Sequence, residues 1–128
     1  ARPEAPLDRT DLAAAIVPPE LAIVRDKYRA EVEAAIRDAF DSLDNARDRN
    51  LIRLYYLERV GLDRLGQMYG VHGSTVSRWL TALREEILEN TRVRLSERLG
   101  MSGNIADIDS LIRAVQSDLD ITLTRILK

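Results

Sequence analysis

The chain has 128 residues, 45% of them apolar and 31% charged, and carries a formal net charge of −2 at neutral pH, the balance of a folded globular domain rather than a disordered one. It has no cysteine and a single histidine, His72, which excludes a disulfide framework and leaves no cysteine or histidine cluster for a transition metal. No apolar run approaches the roughly 20 residues of a membrane span, and no secretory signal opens the sequence, so a cytoplasmic protein without membrane contact is expected. Residues 1–18, opening on ARPEAPLDRT with Ala1 in place of methionine, read as a linker, and the expectation is a piece of a longer polypeptide. From Pro19, behind the helix-breaking VPP, the apolar positions Leu21, Val24, Tyr28, Val32, Ile36, Phe40 and Leu43 recur three or four apart. That is the period of a helix with one buried face.

Asp44 and Asn45 form a turn or cap, and a second helix is expected from Asp48 to Val60 through Leu51, Leu54, Tyr55 and Tyr56, ended by Gly61. Tyr55 and Tyr56 cannot both be buried, so one of them is expected at a surface or an interface. A short third helix, Leu62 to Tyr69, turns Leu62, Leu65 and either Met68 or Tyr69 inward and stops at Gly70. The fourth begins near Gly73 and runs to about Thr91 or beyond, with Val76, Leu80, Leu83 and Ile87 buried and Trp79 on the rim. LGMSGN is a break, with Gly100 as stop and Ser102 or Asn104 as the next cap. Two short amphipathic pieces follow, one through Ile108, Leu111, Ile112 and Val115, the other through Leu119, Leu123, Ile126 and Leu127. Strand signals are nearly absent, so the fold class is all-α.

The stretch GVHGSTVSRWL, Gly70 to Leu80, carries the chemistry. Glycine allows the left-handed backbone of a sharp reversal at little cost, and Leu65, Val71, Val76 and Leu80 would lock the two helices together. Ser74, Ser77, Arg78 and Thr81 then share an outward face. Short hydroxyl side chains let a helix sit deep in a major groove, and an arginine can bond guanine O6 and N7 in bidentate fashion. The plainer alternative is a tight corner between packed helices whose Ser and Thr are merely solvated. His72, just before the fourth helix, suits a cap or a phosphate contact. Arg84, with Arg92, Arg94 and Arg98, forms either a phosphate track or a solvated face paired with Glu85, Glu86 and Glu89. Charge is uneven: residues 1–43 hold six basic and nine acidic side chains, 44–92 eight and seven, and 93–128 five of each. Affinity for a polyanion comes mostly from Lys and Arg, so any DNA contact should be weak. No carboxylate cluster or activated nucleophile stands out, so neither catalysis nor a cofactor is expected.

From PPELAIVRDKYRAEVEAAIRDAFDSL through ARDRNLIRLYYLERVGLDRLGQMYGVHGSTVSRWLTALREEIL, the chain resembles region four of bacterial sigma factors, nearest to the extracytoplasmic-function type. The resemblance implies a four-helix domain over residues 19–92 containing a helix-turn-helix, with 93–128 as a C-terminal helical extension. It further implies a non-enzymatic role in transcription initiation, with the fourth helix reading the upstream minus-35 promoter element. The matching DNA-binding positions are His72, Ser74, Thr75, Ser77, Arg78 and Thr81, with Arg84 near the backbone. Arg47, Arg49, Arg53 and Tyr56 would face the β-subunit flap of RNA polymerase, and an anti-sigma factor is a further implied partner. A region-two module, which the family uses to open DNA, is expected ahead of residue 1. The pattern departs from the family late in the recognition helix, where Ala82, Glu85 and Glu86 stand in place of basic residues. The rival expectations are a dimeric helix-turn-helix repressor or activator whose tail pairs two copies, and a protein-binding module that uses its acidic first helix and tail.

Overall fold

The computed structural model describes residues 26–100 and 105–128, together with Pro19 and Ile23. The expected linker over 1–18, the stripe positions Leu21 and Val24, and the cap at Ser102 or Asn104 lie outside the described residues. The described chain forms helices α1 (Arg29–Asp41), α2 (Ala46–Tyr56), α3 (Leu62–Tyr69), α4 (Gly73–Leu99) and α5 (Ile105–Leu127), and no strand occurs among the described residues. The class is all-α. None of these helices is long and apolar enough to cross a membrane.

In α1 the buried face is Val32, Ala35, Ile36, Ala39 and Phe40, continued by Leu43 in the following turn. Asn45 begins α2 as its cap, its side-chain oxygen accepting the Arg47 N–H at 2.9 Å. Such a cap is worth about 1 kcal/mol because it satisfies an otherwise orphan donor. The end of α2 differs from expectation. The helix stops at Tyr56, not at Gly61, because the chain folds back on its last turn: Leu57 and Glu58 both donate to the Arg53 carbonyl, and Val60 donates to that of Leu54. The left-handed residue in this reversal is Arg59, at φ 59°. Gly61 instead takes an extended conformation and opens α3.

The longest helix, α4, touches all four others. Its buried positions Leu83, Ile87, Thr91, Leu95 and Leu99 are spaced by four. At about 100° per residue each such step overshoots a full turn by about 40°, so the inner face winds around the rod. Its start packs on α3, and further along it lies beside α1 and α5, where Arg98 reaches Asp38 at 2.7 Å and Arg92 reaches Asp109 at 2.7 Å. Thr91 is tolerated inside because its hydroxyl donates to the Ile87 carbonyl at 2.7 Å.

The two expected tail pieces are joined as α5, with a kink at Asp118 (φ −128°, ψ 26°). The kink lets both halves keep an apolar side on the bundle. Leu111, Val115, Leu119, Leu123 and Ile126 belong to the same buried cluster as the residues of α1 to α4, and α4 runs unbroken across residues 92 and 93. Tail and remainder therefore share one core. Tyr55 and Tyr56 are both buried, at 8% and 2% exposure, contrary to the expectation that one would reach a surface. Neighbours lie on both sides of α2, since it packs on α4 and on α5, and the two rings meet edge to face at 5.0 Å. Because α5 is part of the core, Leu123→Ala should lower the unfolding free energy by about 2–5 kcal/mol. A urea titration showing a loss well under about 1 kcal/mol would mean that α5 is only loosely applied.

Candidate nucleic-acid interface

The site begins with how α3 stops. Gly70 adopts the left-handed conformation (φ 71°, ψ 31°), its N–H points to the Gln67 carbonyl, and Val71 donates to the Gly66 carbonyl at 2.8 Å. This pair of reversed bonds satisfies the last carbonyls of the helix and turns the chain within two residues. The returning strand of backbone lies so close to α3 that a Cβ on Gly66 would stand 2.5 Å from the Val71 carbonyl oxygen. Gly66 is therefore as necessary to the corner as Gly70, although it sits inside a helix, where glycine ordinarily costs stability. Leu65, Val76 and Leu80 are buried across the crossing, with Val71 packed partly against them.

His72 opens α4 as its cap: Nδ1 accepts the Ser74 N–H at 3.1 Å, and the Ser74 hydroxyl lies 2.9 Å from the same nitrogen. In the first three turns, Ser74, Arg78 and Thr81 are exposed, while Thr75 and Ser77 are half-buried beside them. Arg78 Nη2 donates to Thr75 Oγ1 at 3.2 Å, which lays the guanidinium along the helix. The Thr81 hydroxyl donates to the Ser77 carbonyl at 3.0 Å. The face so formed is polar, shallow and carries one cation. Glu85, Glu86 and Glu89 are exposed further along α4, ahead of Arg92, Arg94 and Arg98. Trp79 is on the rim of the core, edge to face with Tyr69 at 6.2 Å and covered by the Arg47 guanidinium at 4.3 Å.

Other expected site residues are placed differently. Arg84 does not lie open along a phosphate track. Its guanidinium, with the side chain 25% exposed, pairs with Asp120 of α5 at 3.1 Å. Arg92 and Arg98 are likewise paired, with Asp109 and Asp38, so these arginines join helices rather than pairing with glutamates one turn away on α4. Tyr56 is buried and cannot belong to an exposed docking face. Arg47, Arg49 and Arg53 do not converge either. Arg47 bonds Asp48 and covers Trp79, Arg49 donates to the Leu43 carbonyl, and Arg53 lies over the Phe40 ring at 5.0 Å.

The residue that sequence inspection missed is Asp120, whose carboxylate is only 4% exposed. It accepts the Tyr56 hydroxyl at 2.6 Å and the Arg84 guanidinium at 3.1 Å, tying α2, α4 and α5 at one point. An acidic residue within an apolar stripe, in LDIT, was the available signal, but its partners lie 36 and 64 positions away. Burial pushes the Tyr56 hydroxyl far above its usual 10.0, the neighbouring Asp120 charge adds to the shift, and Arg84 opposes it. Among the described residues, no group of three or more His, Cys, Asp or Glu could hold a metal ion.

Gly66→Ala should cost about 1–3 kcal/mol through overpacking of the corner, read as an earlier midpoint in urea. The Tyr56 phenol stays protonated in the folded chain where the unfolded chain releases its proton. Its contribution is thus complete below about pH 10 and declines above it, by about 1.4 kcal/mol per pH unit until the folded phenol also ionises. Tyr56→Phe should lower stability at neutral pH by about 1–3 kcal/mol and flatten that alkaline decline. Urea titrations at several alkaline pH values test this, and equal alkaline slopes in both proteins would contradict it. In comparisons with known proteins, no family model, no curated protein and no solved structure matches this chain.

Proposed function

We propose that this chain is the promoter-reading part of a sigma factor, a helix-turn-helix domain like sigma region four that recognises the upstream minus-35 element as part of RNA polymerase. The observation that carries this reading is the exposed Ser74, Arg78 and Thr81 face at the start of α4, held at a fixed angle by the Gly66–Gly70 corner. α3 then lies across the backbone while the first turns of α4 enter the major groove. Small hydroxyl side chains permit the approach, and Arg78 supplies the bidentate donor that distinguishes guanine. His72, exposed at the start of α4, lies on the side of the nearest phosphate.

Sparse positive charge fits a domain delivered by a larger machine. A tethered module acts at high effective concentration and needs few phosphate contacts of its own, whereas an independent repressor depends on them. Most of the tail's apolar residues lie in the core of this chain, with Val93 and Ile121 exposed, which leaves a tail-mediated repressor dimer the less favoured reading. Arg47 and Arg53, the exposed arginines of α2, are the side chains offered to the polymerase β-subunit flap, and an anti-sigma factor is the natural antagonist of such a unit. The protein acts in the cytoplasm and performs no catalysis itself.

Arg78→Ala should erase preference at one or two base pairs, a loss of about 1–3 kcal/mol in discrimination, while leaving the melting temperature close to wild type. Selection from a randomised duplex library, followed by competition binding with single-base variants, measures it. Unchanged preference would remove Arg78 from the reading role.

A further inference from the structure

We infer that Asp120 sets the strength of DNA binding by holding Arg84 away from the phosphate backbone; this rests on the DNA-reading role of α4 proposed above. Ser77 and Arg84 are seven residues apart, which places them within about 20° of each other around α4. Arg84 thus continues the Ser77 edge of the reading face two turns further along the helix. An arginine at this place would meet a backbone phosphate as the groove turns away from the helix. Its guanidinium instead faces inward to Asp120, whose other oxygen accepts the Tyr56 hydroxyl. The carboxylate is almost wholly buried and has two donors, whereas the arginine side chain keeps a quarter of its surface exposed. Asp120 is therefore the anchored member of the pair, and Arg84 the one that keeps access to solvent. Beyond it along α4, the exposed Glu85, Glu86 and Glu89 supply no substitute cation. Asp120 is a positioning residue: it touches no DNA and acts through Arg84.

Asp120→Asn is the informative change, since the amide keeps an oxygen for Tyr56 and removes the charge that holds Arg84. Binding of a fluorescein-labelled, mixed-sequence duplex would be followed by anisotropy across a salt series for the 128-residue chain. One added phosphate contact steepens the slope of log K against log salt by about 0.9, so Asp120→Asn should lose roughly threefold more affinity than wild type between about 50 and 200 mM salt. It should also bind more tightly than wild type at the low-salt end. Asp41→Asn, at an exposed position at the end of α1, removes the same formal charge and should not change the slope. In an Arg84→Met background the gain from Asp120→Asn should vanish. A wild-type slope in Asp120→Asn, or an equal gain with Arg84→Met or in Asp41→Asn, overturns the role of Asp120.

Should Asp120→Asn prove unfolded by circular dichroism, the wild-type chain provides a second measurement. Its Arg84 Nε–H resonance should stay put on addition of duplex while that of Arg78 moves, and movement of both would overturn the inference. Arg78→Ala separates this from failure of the underlying reading. If Arg78→Ala leaves sequence preference intact, the reading face itself is wrong. If it abolishes preference while Asp120→Asn keeps the wild-type slope, only the role of Asp120 falls. Absence of duplex binding by every variant at low salt ends both.

Discussion

A carboxylate taken out of water must find donors where it is buried, and Asp120 finds them on two other helices. Losing its hydration costs several kcal/mol, which only good geometry and real partners recover. The Tyr56 hydroxyl at 2.6 Å and the Arg84 guanidinium at 3.1 Å are those partners. Because they sit on α2 and α4, the position of α5 cannot shift without leaving a charge uncompensated. Apolar contacts along α5 supply most of the attraction, but they are non-directional and would tolerate sliding. The Asp120 junction selects one register among the possible ones. The corner that presents Arg78 opens the same rod about three turns before Arg84, so its orientation relative to the bundle inherits that choice.

Several of the chain's 19 basic residues are neutralised between helices. Arg84, Arg92, Arg98 and Arg125 each reach an acid on another helix. The exposed pairs among them are worth little individually, about 0–1 kcal/mol, yet each sets a basic side chain beside an acid and away from an outside polyanion. Arg78, like Arg113 of α5, bonds a neutral hydroxyl instead, which leaves its charge intact. Part of the basic side-chain charge is thus neutralised between helices, while that of Arg78 at the start of α4 is not.

Local features were legible in the sequence, and those decided by distant partners were not. The bounds of α3, the inward set Val76, Leu80, Leu83 and Ile87, and the cap at His72 follow from periodicity and capping chemistry, and the structure has them all. The end of α2 was misjudged because glycine at position 61 is the conspicuous candidate for a left-handed residue, whereas hydrogen bonds back onto the helix put Arg59 there. Tyr56, Arg84 and Asp120 were opaque individually: a tyrosine, an arginine and an aspartate on helix faces look solvated until the tail folds over them. Gly66 was passed over for a related reason, since its need arises from the backbone of Val71 approaching across the turn. The identity of any nucleic-acid partner is a matter for the exposed face alone.

The winding inner stripe of α4 makes chain length a conserved quantity within the molecule. The helix is about 40 Å long and continuous, and its two halves are phased against different neighbours. A substitution disturbs one contact, but removal of a single residue between Leu83 and Ile87 would rotate everything beyond by about 100°. Leu95 and Leu99 would leave the core, and Arg92 and Arg98 would be carried away from Asp109 and Asp38. The corner and the tail are thus geared together, free to vary in side chain but not in spacing.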